Sequence, residues 1–125
     1  MGTPIFAARK ISLTRSIQNL EQMITAATEQ QYSLTNQSMQ LSNQSSQISI
    51  YLAQVTDATQ QQYYNQQQVQ IDTALANLQL QEQQLQLQIK SMETDLSMKT
   101  QELSTIEQAE SSTIKRGTPR YNATG

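Results

Sequence analysis

Residues 5–116 contain neither glycine nor proline. Both residues interrupt helices, glycine through its conformational freedom and proline through its missing N–H donor. Just outside this range, Thr3 can cap a helix that begins at Pro4. Gly117 and Pro119 supply stop signals at the other end. The sequence therefore predicts one long helical region with short tails.

Positions spaced in alternating steps of four and three are mostly apolar over two long stretches. The first series, called the first seam, comprises Leu13, Ile17, Leu20, Ile24, Ala27, Gln31, Leu34, Ser38, Leu41, Ser45, Ile48, Leu52 and Val55. The second seam comprises Ile71, Leu75, Leu78, Glu82, Leu85, Ile89, Met92, Leu96, Lys99, Leu103 and Ile106. Seams of this length are typical of coiled coils, in which each side chain inserts between those of a partner helix. The alternative is an ordinary amphipathic helix of a globular domain.

The two seams do not share a phase. Val55 and Ile71 are 16 residues apart, which in one straight helix would rotate the second seam by about 160° from the first. A chain that folds back avoids this conflict, and the start and stop signals at Thr3 and Gly117 are symmetric about residue 60. We therefore predict an all-α fold, a long antiparallel helical hairpin packed as a coiled coil, which assembles into a larger helical bundle or filament.

The expected boundaries follow from the turn chemistry. Asp57 can cap a second helix, with Gln60 at capping-box spacing, and Asn65 can adopt a left-handed turn conformation. Because neither Asp57 nor Asn65 is glycine, a continuous rod is the alternative. The predicted segments are an N-terminal tail at 1–3, helix 1 at 4–56, a turn at 57–66, helix 2 at 67–116 and a flexible C-terminal tail at 117–125.

Two smaller sets of residues are expected to govern association. The first is a second apolar patch, outside the seams and at matching heights in the hairpin, made of Tyr32, Met39, Leu80 and Leu87. Such a patch favours burial against another copy or a partner helix. The second set is Ser38 with Glu82, a polar pair within the seams that could fix the register of the hairpin. A solvated defect without a register role is the alternative for this pair.

The composition argues against most kinds of catalytic, cofactor and metal site. The chain has no His, Cys or Trp, and no Ser, Thr or carboxylate stands in a recognisable catalytic arrangement. We expect no enzymatic activity, no catalytic residues, no cofactor and no metal site. The formal charge of −2 argues against a specific nucleic-acid ligand, and no apolar run is long enough to span a membrane.

The basic residues are concentrated near the two ends of the chain: six of the eight are Arg9, Lys10, Arg15, Lys115, Arg116 and Arg120. They could meet an anionic lipid or nucleic acid at the base of the hairpin. The simpler interpretation is that they complement the helix terminus and keep this end soluble.

The chain is rich in Gln, Asn, Ser, Thr and Ala, with few aromatic residues and no Cys or Trp. In this composition it resembles helical subunits of bacterial filaments and needles exported by flagellar-type machinery. The resemblance implies a self-associating subunit. Because residues 1–10 have no apolar run long enough for a signal-peptide core, we expect the chain to be cytoplasmic or exported without a cleaved signal peptide. We therefore expect a structural or scaffolding protein that forms homo-oligomers or pairs with another coiled coil.

The rival hypothesis is a soluble adaptor or export chaperone that binds a partner's helix. It differs in what covers the second patch, a foreign chain instead of another copy. Tyr63 and Tyr64, near the expected turn, could add contact area for recognition in either case.

Overall fold

The computed structural model describes the backbone of residues 3–124 and the side chains of residues 5–114. Helix α1 spans Thr3–Gln54 and helix α2 spans Ala58–Thr124. The two helices pack against each other, so the predicted all-α helical hairpin is confirmed. The alternative of a continuous rod is wrong, because three residues separate the helices and Ser38 on α1 contacts Glu82 on α2.

The connection between the helices is capped from both sides. The Asp57 carboxylate accepts a hydrogen bond from the Thr59 backbone N–H at 3.2 Å, as expected of an N-cap residue. The Gln61 side-chain amide donates to the Val55 carbonyl oxygen at 3.0 Å. These bonds satisfy backbone groups that a helix terminus leaves without partners. A tight turn therefore forms here without glycine.

The predicted turn at 57–66 was too long. Helix α2 begins at Ala58, nine residues before the predicted start at 67, and α1 ends at Gln54. Asn65 lies inside α2, and no non-glycine residue of the described chain has a positive φ. The physical reason is that Gln is a good helix former, so the Gln-rich tract after Asp57 continues the helix that Asp57 caps.

The predicted boundary at residue 116 is also wrong, since α2 remains helical to Thr124. Gly117 and Pro119 lie within the helix. Both residues lower helix propensity, but neither forbids helical dihedral angles, so a helix can pass through them at a cost in stability. The expected helix start at Pro4 agrees with the observed Thr3 to within the usual uncertainty of helix termini.

The chain divides into two compact units. The terminal unit combines Met1–Thr25 with Lys90–Gly125, and the turn unit is Ala26–Ile89. The core of the described terminal unit contains Leu13 and Leu20, and the core of the turn unit contains Ala27, Leu34, Ile48 and Leu85. All six residues belong to the seams. Each unit is thus held together by side chains at heptad spacing.

Candidate functional site

The first seam lies along the buried side of α1. Leu13, Leu20, Ala27, Leu34 and Ile48 are buried, and they are spaced by multiples of seven residues. The other members are half-buried, namely Ile17, Ile24, Gln31, Ser38, Leu41, Ser45, Leu52 and Val55. No member of the seam is exposed.

The second seam has the same character on α2. Leu85 is buried, and the half-buried members are Ile71, Leu75, Leu78, Glu82, Ile89, Met92, Leu96, Lys99, Leu103 and Ile106. The same spacing continues beyond the ends of both predicted seams. These further half-buried residues are Phe6 and Lys10 on α1, and Tyr64, Gln68 and Glu110 on α2.

The structure brings the predicted polar pair together. The Ser38 hydroxyl donates a hydrogen bond to Glu82 Oε1 at 3.0 Å, and both side chains are half-buried. The turn unit contains four carboxylates and no Lys or Arg, so no cation of this unit can neutralise Glu82. A half-buried carboxylate stabilised only by hydrogen bonding is costly to move into an apolar layer.

A second polar contact lies closer to the turn. The Gln68 side-chain amide donates to Ser45 Oγ at 2.6 Å and to Asp72 Oδ1 at 3.3 Å. Gln68 Oε1 is buried without a hydrogen-bond partner, which costs about 1–3 kcal/mol. Sequence reasoning missed this layer because Gln68 precedes the apolar start of the second seam. The available signal was Ser45, a polar residue at a seam position of α1.

Three tyrosines cluster where the two helices of the turn unit approach the turn. The rings of Tyr51 and Tyr64 are stacked with centroids 5.5 Å apart, and Tyr63 meets Tyr64 edge to face, also at 5.5 Å. Tyr63 Oη accepts a hydrogen bond from the Gln67 amide at 2.7 Å. The cluster therefore joins α1 to α2 through ring contacts.

A cleft of about 380 Å³ opens beside the stacked rings. Its lining is uncharged and consists of Gln44, Gln47, Ile48, Tyr51, Tyr64, Gln67, Gln70 and Ile71. Two isoleucines supply apolar surface and four glutamines supply amide donors and acceptors. Such a lining suits a neutral partner surface better than an ion.

The residues of the expected second patch are all exposed. The exposed fractions are 70% for Tyr32, 60% for Met39, 54% for Leu80 and 68% for Leu87. At about 100° per residue, Leu80 and Leu87 lie about 170° from the centre of the second seam. By the same rule, Tyr32 and Met39 lie about 130° from the centre of the first seam. The four residues therefore form two separate apolar pairs, one on the outer side of each helix.

Ion pairs join the helices in the terminal unit. Arg9 pairs with Glu102, and Lys10 Nζ lies 3.1 Å from Glu110 Oε2. Two of the basic residues near the chain ends are thus already paired with carboxylates. Within α2, Lys99 Nζ lies 3.1 Å from Asp95 Oδ2 at i,i+4 spacing. The side chains of Lys115, Arg116 and Arg120 lie outside the described residues.

The described residues show no group of three or more metal-ligating side chains that could hold an ion. Over the same residues, no helix is both long and apolar enough to cross a membrane. In comparisons with known proteins, no family model, no curated protein and no solved structure matches this chain.

Proposed function

We propose that this chain is a non-enzymatic structural protein that acts by helix–helix self-association, building a larger coiled-coil bundle or filament. One observation carries the proposal: each helix of the turn unit presents a pair of large apolar side chains on its outer side, Tyr32 with Met39 and Leu80 with Leu87. Each pair is spaced by seven residues, the repeat of a coiled-coil seam.

Burial of these side chains supplies a driving force for association. Full burial of one large apolar side chain is worth about 1.5–3 kcal/mol, and each of these four is more than half exposed. Association also costs translational and rotational freedom, by an estimated 4 kcal/mol or more. Several such side chains must therefore be covered together, which favours helix-to-helix contact along an extended face over a point contact.

The distribution of charge also supports close approach. The turn unit carries four charged residues, Glu29, Asp57, Asp72 and Glu82. Glu82 is half-buried in the seam and Asp72 contacts Gln68. Most of the outer surface of this unit is thus amide and hydroxyl, which stays hydrated without strong repulsion between copies.

Sedimentation velocity of the purified chain over a wide concentration range tests the proposal, with electron microscopy of the same samples. We expect concentration-dependent species larger than one chain. Replacing Leu80 and Leu87 by Ser should shift the distribution toward the monomer. The matched control is Ile50→Ser, which removes an aliphatic side chain of similar exposure, 57%, outside both pairs. A wild-type chain that is monomeric at every concentration would rule out self-association.

The second candidate function is an adaptor that binds a helix of a different protein. The observation that favours it is the uncharged cleft beside Tyr51 and Tyr64, which lies between the helices and away from the two apolar pairs. An adaptor would be monomeric alone, and Tyr51→Ser would abolish capture of its partner. The self-associating protein would assemble equally well with or without this substitution.

A further inference from the structure

The exposed apolar pair on α2 has a charged neighbour on the same side of the helix. Leu80 is followed by Leu87 after seven residues and by Lys90 after three more. Residues three, four and seven apart share one side of a helix. All three side chains are exposed. We call these three residues the α2 face.

The exposed pair on α1 has the same arrangement when α1 is followed backwards. Met39 is preceded by Tyr32 after seven residues and by Glu29 after three more. These side chains are also exposed, and we call them the α1 face. The intervals are identical to those of the α2 face, and the charge at the end has the opposite sign.

Neither terminal charge has an ion-pair partner among the residues whose side chains the structure describes. Among residues 5–114, the ion pairs are those of Arg9, Lys10 and Lys99, and none involves Glu29 or Lys90. An exposed anion on one face and an exposed cation on the other are thus both available to a second molecule.

A hollow of about 310 Å³ adjoins the α1 face. It is lined by Thr28, Gln31, Tyr32 and Thr35, all on α1. The small Thr side chains leave this space beside the Tyr32 ring. In an antiparallel alignment of the two faces, Leu87 stands opposite Tyr32 and can enter the hollow.

We propose that the α2 face of one copy docks antiparallel on the α1 face of a second copy. The contact pairs are Leu80 with Met39, Leu87 with Tyr32 and Lys90 with Glu29. This inference rests on the proposed self-association and names its surfaces. Both apolar pairs become covered, and the two unpaired charges meet at the edge of the contact.

The geometry also sets the mode of assembly. The two apolar pairs lie about 170° and about 130° from the seams of their own helices, so they point outward on different sides of the helix pair in the turn unit. A contact between two copies therefore uses one face of each and leaves one face of each free. Such a heterologous contact repeats from copy to copy and forms a ring or an open filament instead of a closed two-fold dimer.

Two complementary variants test this arrangement by sedimentation velocity of the full chain. The first carries Leu80→Ser and Leu87→Ser, and retains only the α1 face. The second carries Tyr32→Ser and Met39→Ser, and retains only the α2 face. We expect each variant to be monomeric alone, and an equimolar mixture to form dimers and nothing larger. Circular dichroism of each variant checks that the helices are intact.

A charge exchange provides the second measurement. We expect Lys90→Glu to weaken assembly severalfold, and Lys90→Glu combined with Glu29→Lys to restore it. If each charge acted only on the stability of its own helix, the double variant would not regain assembly. The exchange moves each charge to the other helix of the same chain, so only an attraction between the two positions is preserved.

The outcomes separate this inference from the broader proposal. If the Tyr32→Ser, Met39→Ser variant still forms dimers alone, the leucine pair contacts itself and the inference is wrong. If the wild-type chain assembles while the mixture stays monomeric, another surface carries the association, and only the inference falls. A wild-type chain that never assembles overturns both.

Discussion

The Ser38 hydroxyl of α1 donates a hydrogen bond to the Glu82 carboxylate of α2, with 3.0 Å between the two oxygen atoms. Both residues occupy seam positions that coiled coils normally fill with apolar side chains. Sliding one helix along the other by three or four residues would set the carboxylate against Leu34 or Leu41, which have no donor for it. A polar pair of this kind can determine register while lowering stability.

Replacing Glu82 by Leu should therefore raise the Tm by a few degrees, because a half-buried carboxylate is exchanged for an apolar side chain in the seam. The same change should broaden the distribution of oligomers, because registers that Glu82 disfavours become available. Thermal unfolding followed by circular dichroism measures the first effect, and light scattering measures the second. Glu82→Gln retains an oxygen acceptor for Ser38 and is the control. An unchanged single species in the Glu82→Leu variant would remove the register role.

The Ser45–Gln68 contact leads to a prediction about coupling. Ser45→Ala alone should lower stability by about 1 kcal/mol, because the Gln68 amide loses its shorter hydrogen bond. The double replacement Ser45→Ala, Gln68→Leu should recover this loss or exceed it, since it also removes the buried Gln68 Oε1 that has no partner. Urea unfolding of the two single variants and the double variant gives the coupling energy. Strictly additive effects would show that the hydrogen bond contributes nothing.

The start of α2 depends on a single side-chain cap, Asp57. Asp57→Ala should lower stability by about 1 kcal/mol, because the Thr59 N–H loses its acceptor at the start of α2. Asp57→Asn keeps a side-chain oxygen at this position and should be nearly neutral. Urea unfolding of both variants measures the difference. Equal losses in the two variants would assign the effect to charge instead of capping.

The all-α hairpin could be predicted because two physical signals agree. The Gly-free and Pro-free range predicts helix, and the phase change between Val55 and Ile71 favours a chain that folds back over a continuous rod. The residues selected by the heptad spacing are buried or half-buried because a repeat of 3.5 residues keeps one side of each helix against its neighbour. Polar residues at this spacing also lie on that side, since Ser38 and Glu82 are half-buried and hydrogen-bonded to each other.

The turn and the apolar pairs were harder to predict. Asn65 resembles a turn residue and predicts a turn at 57–66, whereas the cap at Asp57 and the helix propensity of Gln start α2 at Ala58. The second patch combines residues that share only their height along the hairpin. The rotation of about 100° per residue, applied to each seam, separates Leu80 and Leu87 from Tyr32 and Met39, and all four are exposed.

Leu13 and Ile11 differ strongly in burial within the terminal unit. They are aliphatic residues of equal size two positions apart on α1, and their exposed fractions are 2% and 56%. Leu13→Ala should cost about 2–5 kcal/mol, because it removes apolar contacts and leaves a cavity between the helices. Ile11→Ala should change stability by no more than about 0.5 kcal/mol, as expected at an exposed position. Urea unfolding of the two variants at equal protein concentration measures the difference. A loss of similar size in both variants would mean that Ile11 is covered in solution, and would place a contact with another copy on that side of α1.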